Sequence, residues 1–220
     1  MRRLFKFLGA VFLLLAAAGL IYGVSGYFDA LSDADRLALR ADALMAEGRS
    51  GKDLGEKRLE TLLMVQDPAF LQHAGLDVTT PGAGITTVTQ SLAKRVAFRK
   101  FKPGIGKIRQ TGYAIGLERK LTKDQIMALW LDTLEMGRGP DGWMKGFFVA
   151  SQTIYLRPPA ELTDREFLSL VAVLIAPGTY DLRQEDAQLE ERIARIERLV
   201  SGNCTPKGNG DVWLEGCRRE

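Results

Sequence analysis

Residues 66–77 read Gln-Asp-Pro-Ala-Phe-Leu-Gln-His-Ala-Gly-Leu-Asp, and residues 84–95 read Gly-Ile-Thr-Thr-Val-Thr-Gln-Ser-Leu-Ala-Lys-Arg. A short loop rich in Thr, Pro and Gly separates this first block from the second block. Together the two blocks say more about the fold than the rest of the chain. Elsewhere, apolar positions recur at helical spacing, and no long stretch alternates as a strand would. The sequence therefore predicts a mainly α chain.

The N-terminal region has the pattern of a membrane anchor. Arg2, Arg3 and Lys6 precede an uncharged run of 22 residues, 7–28. At about 1.5 Å per residue, this run makes roughly 33 Å of helix, enough to cross a bilayer core of about 30 Å. The cations before it favour a cytoplasmic N-terminus. A signal peptide cleaved near Ser25 is the alternative, and both interpretations export the rest of the chain.

The two cysteines, Cys204 and Cys217, lie 13 positions apart near the C-terminus. In an oxidising compartment, a bridge closing a loop of that size contributes about 3 kcal/mol to stability. Two free thiols are an alternative. A metal site is another, but it needs more ligands than two thiols, and the lone His73 lies far away in sequence. We favour the disulfide and predict no protein metal site.

Local helix signals divide the rest of the chain. Ser32 is expected to cap a second helix, and residues 48–55 to form a polar linker after it. Thr122 and Thr163 each begin a capping box, in which the fourth residue is Gln or Glu and an apolar helix follows. A last amphipathic helix is predicted over about residues 183–200, before a Gly-rich tail.

The two blocks resemble the first two motifs of the family 51 glycosyltransferases, which polymerise lipid-linked disaccharide into peptidoglycan strands. Further matches follow in order as far as about residue 182. The resemblance implies a lysozyme-like transglycosylase fold with a cleft near the membrane. The matching positions in the two blocks are Asp67, Phe70, His73, Gly75, Asp77, Gly84, Thr87, Thr89, Gln90, Leu92 and Lys94.

The family has a glutamate where this chain has Gln66, and a second one, in a third block, where it has Gln110. In such enzymes a carboxylate takes a proton from the attacking sugar hydroxyl, which an amide of nearly the same size cannot do. General-base catalysis is typically worth about 10²–10⁴ in rate. The resemblance therefore implies a preserved pocket without its base. Asp67, Asp132 and Glu135 are the candidate substitutes for the lost carboxylates.

The same resemblance implies substrate-binding roles, with Lys94 and Lys107 placed to hold the pyrophosphate of the lipid-linked donor. Lys107 belongs to a basic run over residues 95–109 that contains no acid. Nucleic acid is an unlikely partner behind an export anchor, so the other cations of this run are expected to face the membrane or solvent. The residues expected to bind substrate are Asp67, Thr86, Thr89, Gln90, Lys94 and Lys107.

With 220 residues and a net charge of +3, the chain suits one domain plus an anchor. We expect a single-pass protein of the bacterial inner membrane, with its N-terminus in the cytoplasm and its domain in the periplasm. The predicted parts are a cytoplasmic tip and transmembrane anchor (1–28), a stalk helix and linker (29–53), a family 51 transglycosylase-like domain (54–200) and a tail with the disulfide (201–220).

Two functions follow from the resemblance. The first is a pseudoenzyme that binds lipid II or nascent glycan in cell-wall assembly, with its polymerase chemistry lost or strongly reduced. The alternative is an active glycan-strand polymerase that uses a displaced carboxylate. The expected partners are lipid II or a nascent strand, membrane lipid and other cell-wall synthesis proteins. No tightly bound cofactor is expected, although a divalent metal could accompany the donor pyrophosphate.

Overall fold

The computed structural model describes residues 2–219. Helices hold 62% of the chain and strands 4%, so the prediction of a mainly α protein is confirmed. The helices are α1 (Arg2–Ala46), α2 (Glu56–Gln66), α3 (Val88–Ala97), α4 (Ile105–Lys120), α5 (Lys123–Thr133), α6 (Phe147–Tyr155), α7 (Asp164–Val173) and α8 (Ala187–Val200), and the strands are β1 (Glu135–Gly139) and β2 (Gly142–Lys145).

Helix α1 runs without a break through the apolar run and the predicted stalk. The prediction that Ser32 begins a second helix is wrong. Its hydroxyl donates to the carbonyl of Phe28, 3.1 Å away, a bond that serine makes inside a continuous helix. The apolar part of α1 is exposed, and its most apolar stretch of 18 residues has a mean hydropathy of 2.4. The helix is therefore long and apolar enough to cross a membrane.

Beyond the apolar run, α1 becomes part of the core. It buries Ala30, Leu37 and Ala41 against α4 and α5. The backbones of α1 and α4 touch, because a Cβ on Gly112 would collide with the carbonyl of Gly23. The Tyr113 hydroxyl also donates to Asp33, 2.7 Å away. The membrane-length helix is thus rigidly continuous with the domain.

Residues 48–55 pack on the domain as well. They contain a short 3-10 helix, Lys52–Leu54, whose Leu54 is fully buried. Arg49 reaches Asp132 at the end of α5, 2.6 Å away. The predicted linker is therefore a packed connection, because its apolar and cationic side chains find partners that lie far along the chain.

Two further boundaries differ from prediction. Strands β1 and β2 form an antiparallel hairpin, which was not predicted because both strands are short and contain glycine. Helix α8 begins at Ala187, after Asp186 accepts hydrogen bonds from two backbone N–H groups, rather than near residue 183. The capping boxes at Thr122 and Thr163 are confirmed.

Candidate functional site

A cleft of about 310 Å³ lies where the two blocks meet the C-terminal part of the chain. We call it the Gln66 cleft. Gln66, the last residue of α2, is half-buried on its wall. Gly84 and Thr86 line it from the start of the second block, Arg192 from α8 and Val212 from the tail. None of the described residues that line it is acidic.

Asp67, next to Gln66, is 1% exposed and holds the first block to the second. Its carboxylate accepts hydrogen bonds from the N–H of Val88 at 2.8 Å and from His73 Nε2 at 3.0 Å. The N–H of Gly75 donates to His73 Nδ1, so the ring proton lies on Nε2. Asp67 thereby anchors the start of α3, and His73 orients Asp67.

The second block forms the first turns of α3. Thr87 caps this helix in a capping box with Gln90, a signal present in the sequence but assigned there to the family motif. Thr89 donates to the carboxylate of Glu118. Gln90 donates to Thr111, 2.9 Å away. Both Thr89 and Gln90 are fully buried, so with Asp67 they support the cleft from behind, whereas Thr86 lines it.

Lys107 lies at the rim of the cleft. Its ammonium donates to the Thr86 hydroxyl at 2.8 Å and to Gln90 Oε1 at 3.1 Å. The pKa of Lys107 is lowered to about 8, first by burial and second by the nearby charge of Lys94. Lys94 is exposed and lies over the ring of Phe101. Within residues 2–219 neither lysine forms an ion pair with a carboxylate, since the lysine and arginine pairs of this part of the chain involve other residues. Two neighbouring cations without acids suit an anionic ligand.

Arg192 is the cleft residue that sequence reasoning missed. It is 4% exposed, and its Nε and Nη1 have no hydrogen-bond partner in the described part of the chain. Burial lowers its pKa to about 10. A buried guanidinium without such partners is costly unless an anion satisfies it. The signal was available, because Arg192 stands at helical spacing between Leu189 and Ile196 on the apolar face of α8.

The second glutamine occupies a different environment. Gln110, on α4, is 2% exposed. Its Nε2 donates to the carbonyl of Gln90 at 2.6 Å, while its Oε1 lacks a partner among the described residues. Gln110 does not line the Gln66 cleft but supports α3 from behind it.

The other candidate bases also lie outside the cleft lining. Asp132 is held between Arg40 and Arg49 and is largely buried. Glu135 accepts a hydrogen bond from the Trp143 indole. Asp132 and Glu135, at and just after the end of α5, are therefore engaged in contacts that stabilise the fold.

Cys204 and Cys217 form a disulfide whose Cα atoms lie 5.2 Å apart. The bridge closes the C-terminal tail, residues 201–219, in which Val212 lines the cleft. Residues 2–219 contain no cluster of three or more His, Cys, Asp or Glu side chains that could hold a metal.

A family model described as Transglycosylase matches residues 46–200. The chain therefore belongs to the transglycosylase family, the family 51 glycosyltransferases, and its helical domain has the lysozyme-like fold of that family.

Named relatives agree with the family. Penicillin-binding protein 1A of Haemophilus influenzae is 27% identical over 243 residues, covering 97% of this chain and 27% of that protein. Penicillin-binding protein 1F of Bacillus subtilis is 29% identical over 134 residues, covering 55% and 18%. A biosynthetic peptidoglycan transglycosylase of Xanthomonas euvesicatoria is 28% identical over 170 residues, covering 72% and 65%. The matched part thus spans from about a fifth to about two thirds of the length of these relatives.

Proposed function

We propose that this protein is a membrane-anchored cell-wall assembly protein that binds lipid II or a nascent glycan strand in the Gln66 cleft, with polymerase chemistry lost or strongly reduced. One observation carries the proposal: the cleft has cations at its wall and rim, Arg192 and Lys107, but no carboxylate among its described lining residues. Such a site can hold an anionic glycan carrier and lacks a base to activate a sugar hydroxyl.

Binding follows from the donors that the cleft offers. The pyrophosphate of a lipid-linked sugar needs charge-assisted hydrogen bonds, which are the stronger class of hydrogen bond in proteins. Arg192 lines the cleft, and its Nε and Nη1, which are buried and have no partner among the described residues, become donors to a ligand once the side chain turns towards the cleft. Lys107 is held towards Thr86. A divalent ion would find no carboxylate ligand in the cleft lining, so no step of the proposal passes through a metal.

Loss of chemistry is supported by the contacts of Asp67, Asp132 and Glu135, the three carboxylates considered as replacements, of which Glu135 accepts a hydrogen bond from the Trp143 indole. Asp67 is buried and bonded to His73 and Val88. Asp132 is neutralised by two arginines. A carboxylate that already accepts these bonds cannot readily take the proton of an acceptor sugar, so no geometric observation favours the alternative of a displaced base.

The membrane side of the fold suits a lipid-linked ligand. Ile105 and Ile108 are exposed near the start of α4, and Ile108 packs beside Gly19 and Gly23 of the apolar run. These contacts support a position of Lys107 close to the bilayer surface, where the pyrophosphate of a lipid-linked donor would lie. A cytoplasmic N-terminus, a periplasmic domain and contacts with other cell-wall synthesis proteins complete the proposal. The disulfide fits an oxidising compartment.

The test combines a lipid II polymerisation assay with a lipid II binding titration on the detergent-solubilised full-length protein. We expect saturable binding without polymer. Arg192→Met is expected to weaken binding by tenfold or more, whereas Arg119→Met, an exposed arginine of α4, leaves it unchanged. Because replacing a buried unpaired charge with an apolar side chain is often neutral or stabilising, the weaker binding is expected without a loss of fold.

Two results would overturn the proposal. If the protein bound neither lipid II nor glycan, the proposed ligand would be wrong. If the unmodified protein produced clear polymer, the proposed loss of polymerase chemistry would be wrong. In the second case Asp132→Asn tests Asp132 as the displaced base: loss of turnover with unchanged circular dichroism and thermal stability assigns the base to Asp132, whereas loss of turnover together with loss of stability reflects its pairing with Arg40 and Arg49.

A further inference from the structure

The C-terminal tail is hydrogen-bonded to the loop between the two blocks. The N–H of Gly82 donates to the carbonyl of Gly208 at 2.9 Å, and that of Gly84 donates to the carbonyl of Asn209 at 2.8 Å. The Asn209 side chain returns two bonds, from Nδ2 to the carbonyls of Thr80 and Gly84, each 3.0 Å long. Four hydrogen bonds thus join segments more than 120 positions apart.

The loop is shaped for this contact. Gly82 and Gly84 both have positive φ, 78° and 68°, which favours glycine. A Cβ on Gly84 would lie 2.6 Å from Val212 Cγ1, and one on Gly82 would lie 2.8 Å from Pro206 Cγ. A side chain at either position would therefore push the tail away from the loop.

The tail has its own internal restraints. Its disulfide closes residues 204–217, and the Arg198 side chain on α8 donates to the carbonyl of Cys217 at 2.6 Å. Burial alone would raise the pKa of Asp211, but hydrogen bonds from backbone N–H groups of the tail lower it. The tail is therefore a stiff segment fastened to α8, the helix that carries Arg192.

We propose that the disulfide-closed tail is a positioning element of the Gln66 cleft and that Asn209 is its positioning residue. Asn209 holds the loop so that Gly84 and Thr86 line the cleft opposite Gln66, and Val212 supplies the adjoining wall. Breaking the disulfide loosens this arrangement, which makes ligand binding sensitive to thiol reductants. The identity of the ligand rests on the proposed function, whereas the positioning of the loop does not.

The test is Asn209→Asp in the detergent-solubilised full-length protein. The aspartate keeps the size of the side chain and the backbone carbonyl that Gly84 uses, but it cannot donate to the two loop carbonyls. Asn203→Asp is the matched control, because it makes the same charge change at an exposed position in the same tail. A Cys204→Ser/Cys217→Ser variant tests the bridge. The readouts are amide hydrogen exchange over residues 79–86 and lipid II affinity.

We expect Asn209→Asp to speed exchange at residues 79–86 about tenfold and to lower lipid II affinity about tenfold, with the serine variant changing both in the same direction and Asn203→Asp changing neither. Unchanged exchange in Asn209→Asp would overturn the proposal, as would faster exchange with unchanged affinity. Failure of the unmodified protein to bind lipid II would count against the proposed function alone. Exchange in Asn209→Asp would then still decide whether the tail holds the loop.

Discussion

From the family motifs we predict that Gln66 and Gln110 stand where the family has its two glutamates, and the structure gives these two glutamines different surroundings. Gln66 is half-buried on the wall of a cleft. Gln110 is buried within α4 and donates to the carbonyl of Gln90. An amide at position 66 changes what the cleft can do to a ligand. An amide at position 110 satisfies a carbonyl behind the cleft, which an ionised carboxylate would repel. Two chemically identical replacements therefore affect different properties.

The largest expected effect is on turnover, and it tests this contrast directly. Gln66→Glu restores a carboxylate on the cleft wall, so we expect it to raise lipid II polymerisation over the unmodified protein by about 10²–10⁴-fold. Gln110→Glu alone should give a much smaller gain, because its carboxylate does not line the cleft. A glycan-strand assay of both single variants and the double variant measures the difference. An equal gain from Gln110→Glu alone would contradict the division of roles.

The next effect is on stability, and here Gln110→Glu is expected to have the larger effect and Gln66→Glu the smaller one. Gln110→Glu is expected to lower the free energy of unfolding by about 2 kcal/mol at pH 8, because the new carboxylate is buried against the Gln90 carbonyl. Gln66→Glu, half-exposed, should cost much less. Urea denaturation of the two variants measures the costs.

The pH dependence of that cost has a definite sign. Burial raises the pKa of the introduced carboxyl above its unfolded value of about 4.3. Near pH 4 the protonated acid can donate to Gln90 as the amide does, so the variant loses little stability. The loss grows as pH rises through the folded pKa. Equal destabilisation at pH 5 and pH 8 would show that shape, not charge, causes it.

The smallest effect concerns Lys107, at the rim of the Gln66 cleft. Its pKa is lowered from 10.5 to about 8 by burial and by Lys94, so it loses its proton as pH rises through 8. We expect lipid II affinity to fall by up to about tenfold between pH 7 and pH 9. Lys107→Met should bind more weakly at pH 7 and show no such fall. Lys120→Met, at an exposed position, serves as the control, and a fall that persists in Lys107→Met would assign it to another group.

Local rules predicted the parts of the fold that are decided within a few residues. Thr122 and Thr163 start their helices as expected, because a capping box needs only four consecutive residues. Ser32 failed as a cap because the helix on both sides of it packs continuously against α4 and α5. The β1–β2 hairpin escaped prediction because its strands of 5 and 4 residues are too short to show alternation.

The candidate site was predicted in part. The motifs located Gln66, Thr86 and Lys107, which the structure brings together at one cleft and its rim. The motifs did not distinguish these three residues from buried supporting residues such as Gln90, because a motif gives the spacing of residues along the chain but not their exposure to solvent. Sequence reasoning missed Arg192 because this residue lies outside the motifs, in an amphipathic helix to which the sequence assigns only a structural role.

The sequence by itself determined the membrane-length helix and the family motifs, and it predicts amides where the family has two glutamates. These are properties of composition and of short spacings. Only the tertiary structure decided that Gln66 lines a cleft while Gln110 supports it, that Arg192 reaches that cleft and that the tail closes one of its sides. Asp132 pairs with Arg40, 92 positions away, and burial of this kind depends on which distant segments meet when the chain packs.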